Sequence, residues 1–211
     1  MKKILLLCIM TLSVAGINAQ RSDRSFVRKG NRMFQDSLFI KAEENYLKAV
    51  DANPELMEGY YNLGNAYTAQ QKPNEAIEQY RKTANSLEGR KKELTDNPSS
   101  NPKELERVKE DLSKTYHNTG VVYHMCEQYD KAVESYKQAL RNNPQDDETR
   151  YNLILAQRML DQQQQDQKQD QKDQQQQEEQ KEQQQEQQEQ QQQQEQQQEQ
   201  QQQEQQQQDM S

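Results

Sequence analysis

Small and apolar residues recur at three- and four-residue intervals through most of the first 160 positions. That is the spacing of one face of an α-helix. The runs come in pairs. Phe26, Gly30 and Met33 mark one run, and Ala42, Tyr46 and Ala49 mark its partner. Tyr60, Leu63, Gly64 and Tyr67 precede Ala76 and Tyr80, and Tyr116, Gly120 and Tyr123 precede Ala132, Tyr136 and Ala139. Placing Ala42, Ala76 and Ala132 together aligns three units: residues 23–56, 57–90 and 113–146. The first two are adjacent and each 34 residues long. A repeat of that period predicts an all-α stack of helix pairs, each unable to bury its apolar face alone.

The residue types at the shared places have physical reasons. Gly30, Gly64 and Gly120 stand mid-helix, where glycine costs about 1 kcal/mol relative to alanine. Such a cost implies a close helix–helix approach that a side chain would block. Ala42, Ala76 and Ala132 serve the same approach from the facing helix, and Tyr46, Tyr80 and Tyr136 lie one turn further on the same face. Pro54 and Pro144 end the second helix of their units. The middle unit has no proline at Glu88 and carries Thr83 where the others have alanine, so its second helix need not stop. The break comes at Asn97-Pro98-Ser99-Ser100-Asn101-Pro102. Leu94, Leu105, Val108 and Leu112 form a sparse apolar stripe that favours an extension of two neighbouring helices over 91–112, rather than a disordered insertion. After Asp146, Tyr151-Asn152-Leu153 matches Tyr61-Asn62-Leu63, with Ile154 in the glycine place and no second helix behind it. Residues 147–162 are expected to be a polar end helix covering the last apolar face, and Lys29 makes the first helix partly polar too.

Composition divides the chain of 211 residues at about position 162. Residues 161–211 contain 33 Gln and carry a formal charge of −10, while residues 1–160 carry +2. Glutamine and glutamate favour helix, so the 163–211 tail can continue the end helix. With no apolar seam, the alternative is a solvated, largely disordered segment rather than a coiled coil. Neither part clusters the Lys and Arg that a phosphate backbone needs, so nucleic acid is not an expected partner. Residues 1–19 read as a signal peptide: Lys2 and Lys3, an apolar run from Ile4 to Val14, then Gly16-Ile17-Asn18-Ala19. The run is shorter than the about 20 residues of a membrane span. Export to the periplasm, with no spanning segment after cleavage, is the expectation.

No catalytic order of residues is present, so an enzyme is not expected, nor a cofactor. His117 and His124 lie seven residues apart, about 10 Å along a helix, which is too far to share a metal. Cleavage would leave Cys126 as the one thiol, read as a small buried residue near a helix end. The alternative is a redox or stress sensor.

These units resemble the tetratricopeptide repeat (TPR). The resemblance implies a concave groove lined by the first helix of each unit. The groove residues it implies here are Arg24, Val27, Arg28 and Asn31; Tyr61, Asn62 and Asn65; Lys114, His117, Asn118 and Val121; and Tyr151 of the end helix. Some TPR domains clamp a C-terminal carboxylate with Lys and Asn at such places. Asn31, Asn62 and Lys114 match that pattern, whereas Val27 and Asn118 depart from it and the insertion before Lys114 disturbs it. The order of parts is narrower: an export signal, RKGN, NPELMEGYYNLGNAY, NPQDDETRYNLILAQ and a Gln/Glu tail. It is similar to the BatC-type TPR proteins of Bacteroides aerotolerance (Bat) operons. That similarity implies a periplasmic adaptor beside von Willebrand factor A-domain membrane proteins, with a role in oxygen tolerance or envelope stress. A self-assembling stack is the remaining alternative, and the polar ends speak against it.

Overall fold

The computed structural model describes residues 23–97 and 99–209, with side chains described to residue 181. The expected signal peptide lies outside the described residues. Seven helices follow one another and no strand occurs among the described residues. They are α1 (23–35), α2 (Phe39–Ala52), α3 (Met57–Ala69), α4 (Pro73–Asp96), α5 (Pro102–Met125), α6 (Tyr129–Asn142) and α7 (Asp147–Asp209). Of the described residues, those from 23 to 160 form one compact unit, and those from 161 to 209 form a second, helical one.

In the compact unit each helix packs on its chain neighbours. The packing rests on one device used three times. A Cβ added at Gly30 would stand 2.5 Å from the Tyr46 ring, and one at Gly120 would stand 2.6 Å from Tyr136. Gly64 meets Tyr80 in the same way. The glycine therefore makes room for a tyrosine ring of the facing helix, and all three rings are buried. Burying an aromatic ring stabilises by far more than the about 1 kcal/mol that a mid-helix glycine costs. Ala42, Ala76 and Ala132 are fully buried alongside them.

The turns between paired helices share a second device. Ser37, Gln71 and Glu127 have φ near +58°, the left-handed region. Around them Leu38 N–H donates to Met33 O, Lys72 N–H to Tyr67 O and Gln128 N–H to Tyr123 O, at 2.8–3.0 Å. These are Schellman closures, whose left-handed position favours glycine. Gln71→Gly should therefore raise the unfolding free energy by about 0.5–1 kcal/mol. Urea denaturation measures this, and a loss of stability would mean that the Gln71 side chain contributes more than its backbone strain costs.

The middle unit has no stop signal. α4 runs to Asp96 and α5 begins at Pro102, each 24 residues long. Their added turns pack through Leu94, Val108 and Leu112, with Leu105 against them and Leu87 of the middle unit in the same cluster. Asn101 caps α5 by accepting from Lys103 N–H at 3.0 Å. Asp146 caps α7, accepting from Thr149 N–H at 2.9 Å and from its hydroxyl at 2.7 Å. Partial burial opposes ionisation of Asp146, but those two bonds hold its carboxyl below the usual range.

Two sequence expectations need correcting. The end helix is not polar on its outer side. Leu153, Ala156 and Leu160 pack on α6, but Tyr151, Ile154, Leu155 and Met159 are exposed. α7 thus carries a second apolar stripe with nothing over it among the described residues. Cys126 is half-buried rather than buried, because it ends α5 at a turn with helix on one side only.

Candidate binding groove

Successive first helices α1, α3 and α5 stand side by side, and between them lies an open groove of about 880 Å³. α1 contributes Arg24, Val27, Arg28 and Asn31; α3 contributes Met57, Glu58, Tyr61 and Asn62. The far wall is α4 and α5, through Thr83, Leu87, Glu104, Arg107, Val108, Asp111, Lys114 and Thr115. Four of these, Glu104, Arg107, Val108 and Asp111, come from the inserted extension. The insertion does not merely disturb a groove but builds one wall of it. The missed residues carried a readable signal: 104, 107, 108, 111, 114 and 115 form one helical stripe backwards from Lys114.

Arg28, Asn31, Tyr61, Asn62 and Lys114 are brought together here, and so are Arg24 and Val27. Five other sequence candidates are placed elsewhere. Asn65 and Asn118, both half-buried, lie in a hydrogen-bond chain between α3, α4 and α5. The Asn118 amide donates to Tyr61 Oη at 3.0 Å and to Asn65 Oδ1 at 2.9 Å, and Tyr80 Oη donates to the same Asn65 oxygen at 2.7 Å. Burial raises the Tyr61 and Tyr80 hydroxyls above the usual phenol range, so both remain neutral donors and acceptors. His117 ties α5 to the end helix, with Nδ1 2.6 Å from Thr149 Oγ1 and Nε2 3.8 Å from a Glu148 oxygen. Tyr151 projects to solvent from α7, 67% exposed. Val121 packs in the α5–α6–α7 core.

The groove has an apolar floor and a mixed, mildly cationic rim. Lys114 is held by Glu110, Nζ to Oε1 2.6 Å, and that bond raises its pKa. Glu104 is paired with Arg90. Arg24, Arg28 and Arg107 make no ion pair among the described residues, against the similarly unpaired Glu58 and Asp111. Burial raises the Asp111 carboxyl above its ordinary value, with Lys114 and Arg107 opposing. Asn31 Oδ1 accepts from Tyr46 Oη at 2.8 Å and from Asn62 at 3.2 Å, which fixes both amides at the floor. Val27, only 2% exposed, supplies no cation at the place a carboxylate clamp needs one, and the Asn118 amide is taken up by Tyr61 and Asn65. No group of His, Cys, Asp and Glu suited to a metal occurs among the described residues. No described helix is long and apolar enough to cross a membrane.

Residues 113–146 and 58–83 each match a tetratricopeptide repeat model. No curated protein matches the chain. Among solved structures it is similar to the first TPR of Spaghetti bound to an HSP90 peptide, at 18% identity over 66% of this chain and 94% of that one, TM-score 0.51. It is similar to the Arabidopsis OM64 TPR domain at 16% identity, covering 66% and 98%, TM-score 0.53. The second TPR domain of human RPAP3, in complex with an HSP70 peptide, gives 16%, 66% and 98%, TM-score 0.52. At these identities the likeness is one of fold. Two stretches match the repeat model, and the described compact unit has the fold of a tetratricopeptide-repeat stack.

Proposed function

We propose that the chain is a non-enzymatic adaptor that holds a segment of a partner protein in the groove between α1, α3 and α5. The observation that carries this reading is the groove itself: an apolar floor with fixed amides and a mixed rim whose arginines and acids make no ion pair with one another among the described residues, the chemistry of an extended peptide or helix site. Similar TPR structures hold HSP90 and HSP70 peptides, which supports a peptide occupant as a class. The absence of a cation at Val27 argues against a simple carboxylate clamp.

The setting we infer is the periplasm, after export on residues 1–19, in a Bat-type aerotolerance or envelope-stress complex. The partner is then a von Willebrand factor A-domain membrane protein. Support comes from the order of sequence parts described above. The test is isothermal titration of the mature chain with a soluble von Willebrand factor A domain of a Bat-type membrane protein. Saturable binding is expected, weakened at least about tenfold by Arg28→Glu combined with Arg107→Glu. Binding untouched by that pair removes the groove from the interaction. No binding at all removes the Bat-type partner.

A further inference from the structure

We propose that α7 is the first helix of an incomplete repeat unit, and that an amphipathic helix of a separate polypeptide takes the missing second place. This surface is distinct from the groove.

The register of the repeats carries the argument. In the middle unit, Tyr61, Gly64, Asn65 and Thr68 all touch Tyr80 of the unit's own second helix. Tyr61 lies 6.0 Å from it between ring centroids, Gly64 makes room for its ring, Asn65 accepts its hydroxyl at 2.7 Å, and Thr68 Oγ1 is 3.2 Å from the same oxygen. In the third unit, His117 and Gly120 meet Tyr136, Val121 packs in the same cluster, and His124 meets Tyr129 of the same second helix. Thirty-four residues further on, these four places are Tyr151, Ile154, Leu155 and Arg158. The places that face a second helix in the middle and third units are therefore the ones α7 leaves in solvent, at 67%, 46% and 37% exposure for Tyr151, Ile154 and Leu155. A contiguous exposed apolar stripe of this kind marks an interaction surface.

The occupant is specified first by the place where the complete units agree and α7 departs. Each complete unit has glycine opposite tyrosine, because a Cβ there would enter the ring. α7 has Ile154, whose branched side chain fills the space that the ring takes elsewhere. The fit is reversed: bulk on the first helix demands a small residue, alanine or glycine, on the second. None of Tyr46, Tyr80 or Tyr136 meets that demand, so the second helices of other copies of this chain are excluded by shape. Arg158 makes no ion pair among the described residues and stands where His124 meets Tyr129, in the first turn of α6. An acidic residue in the first turn of the incoming helix would meet it, where such a residue also suits the helix dipole. The partner helix is thus amphipathic, acidic at its start and small at its centre.

The test uses labelled peptides of residues 129–143, the α6 sequence, titrated into the full mature chain by fluorescence anisotropy. One probe has the native sequence and the other carries Tyr136→Ala. The expected result is at least about tenfold tighter binding of the alanine probe, and a reversed preference when the chain carries Ile154→Gly. Absence of binding by the alanine probe at millimolar concentration overturns the proposal. So does equal affinity for both probes, or indifference to Ile154→Gly. Sedimentation showing a dimer of the unmixed chain that Ile154→Asp dissolves would assign the surface to a second copy instead, and would equally overturn it. Neither outcome bears on the groove, whose occupant is tested by the Arg28 and Arg107 variants.

Discussion

Tyr80→Ala is expected to lower the unfolding free energy by about 3–5 kcal/mol, enough to unfold much of a marginally stable domain. The ring is 1% exposed and is the hub of the middle unit. It fills the hollow over Gly64, bonds to Asn65 at 2.7 Å and approaches Tyr61. Truncation loses the buried ring area, opens a cavity and leaves Asn65 with one partner fewer. Urea denaturation followed by circular dichroism at 222 nm measures it, and a loss below about 1 kcal/mol would refute the assignment of Tyr80 as hub. Gly64→Ala probes the same contact from the other side. Helix propensity alone predicts a gain of about 1 kcal/mol, whereas overpacking against the ring predicts a loss of about 1–3 kcal/mol. A net loss is expected. Because the two residues share one space, the double variant should cost clearly less than the sum of the singles.

Alkaline pH is expected to unfold the domain cooperatively between about pH 10 and 12, as its core phenols ionise in the unfolded state first. Burial, with smaller contributions from nearby glutamates, pushes the hydroxyls of Tyr46, Tyr116 and Tyr136 up to about 12. Tyr80 is pushed higher still, chiefly by burial. A raised native pKa means that the folded chain retains protons which the unfolded chain releases near pH 10. Stability from these groups is therefore complete below pH 10 and is lost as pH rises through the window. Parallel titration of tyrosinate absorbance at 295 nm and of helix signal at 222 nm checks this. The two curves should share a steep late phase. Full ionisation of the tyrosines near pH 10 with the helices intact would contradict the burial argument.

The fold was largely legible in the chain, and the reason is local. Glycine, alanine and tyrosine at fixed offsets define the repeat, because each meets its partner within one helix pair, about sixteen residues away. The groove was legible in part. Arg28, Asn31, Tyr61, Asn62 and Lys114 follow from helix phase, since the first helices of a stack present equivalent faces to one side. Asn65 and Asn118 share nearly that phase but lie outside the groove lining, because α5 covers that part of α3 and the Asn118 amide bonds to Asn65 and Tyr61 across the two helices. Side-chain rotamers set by a partner 15 or 53 residues away have no local sequence signature. His117 was diverted in the same manner, to the hydroxyl of Thr149.

By itself the sequence determined the units and their ends. It set an all-α stack, three helix pairs, a missing stop after Glu88 and a polar tail without an apolar seam, because these depend on periodicity, propensity and turn chemistry within a few residues. Only the tertiary structure decided what the insertion does and what the end helix shows. Whether residues 91–112 stand clear of the groove or wall it depends on how α4 and α5 lie across α1 and α3, a matter of packing between elements. Whether Ile154 caps the stack or waits for a helix depends on which of two apolar stripes α6 takes, and it takes Leu153, Ala156 and Leu160, leaving the other to solvent.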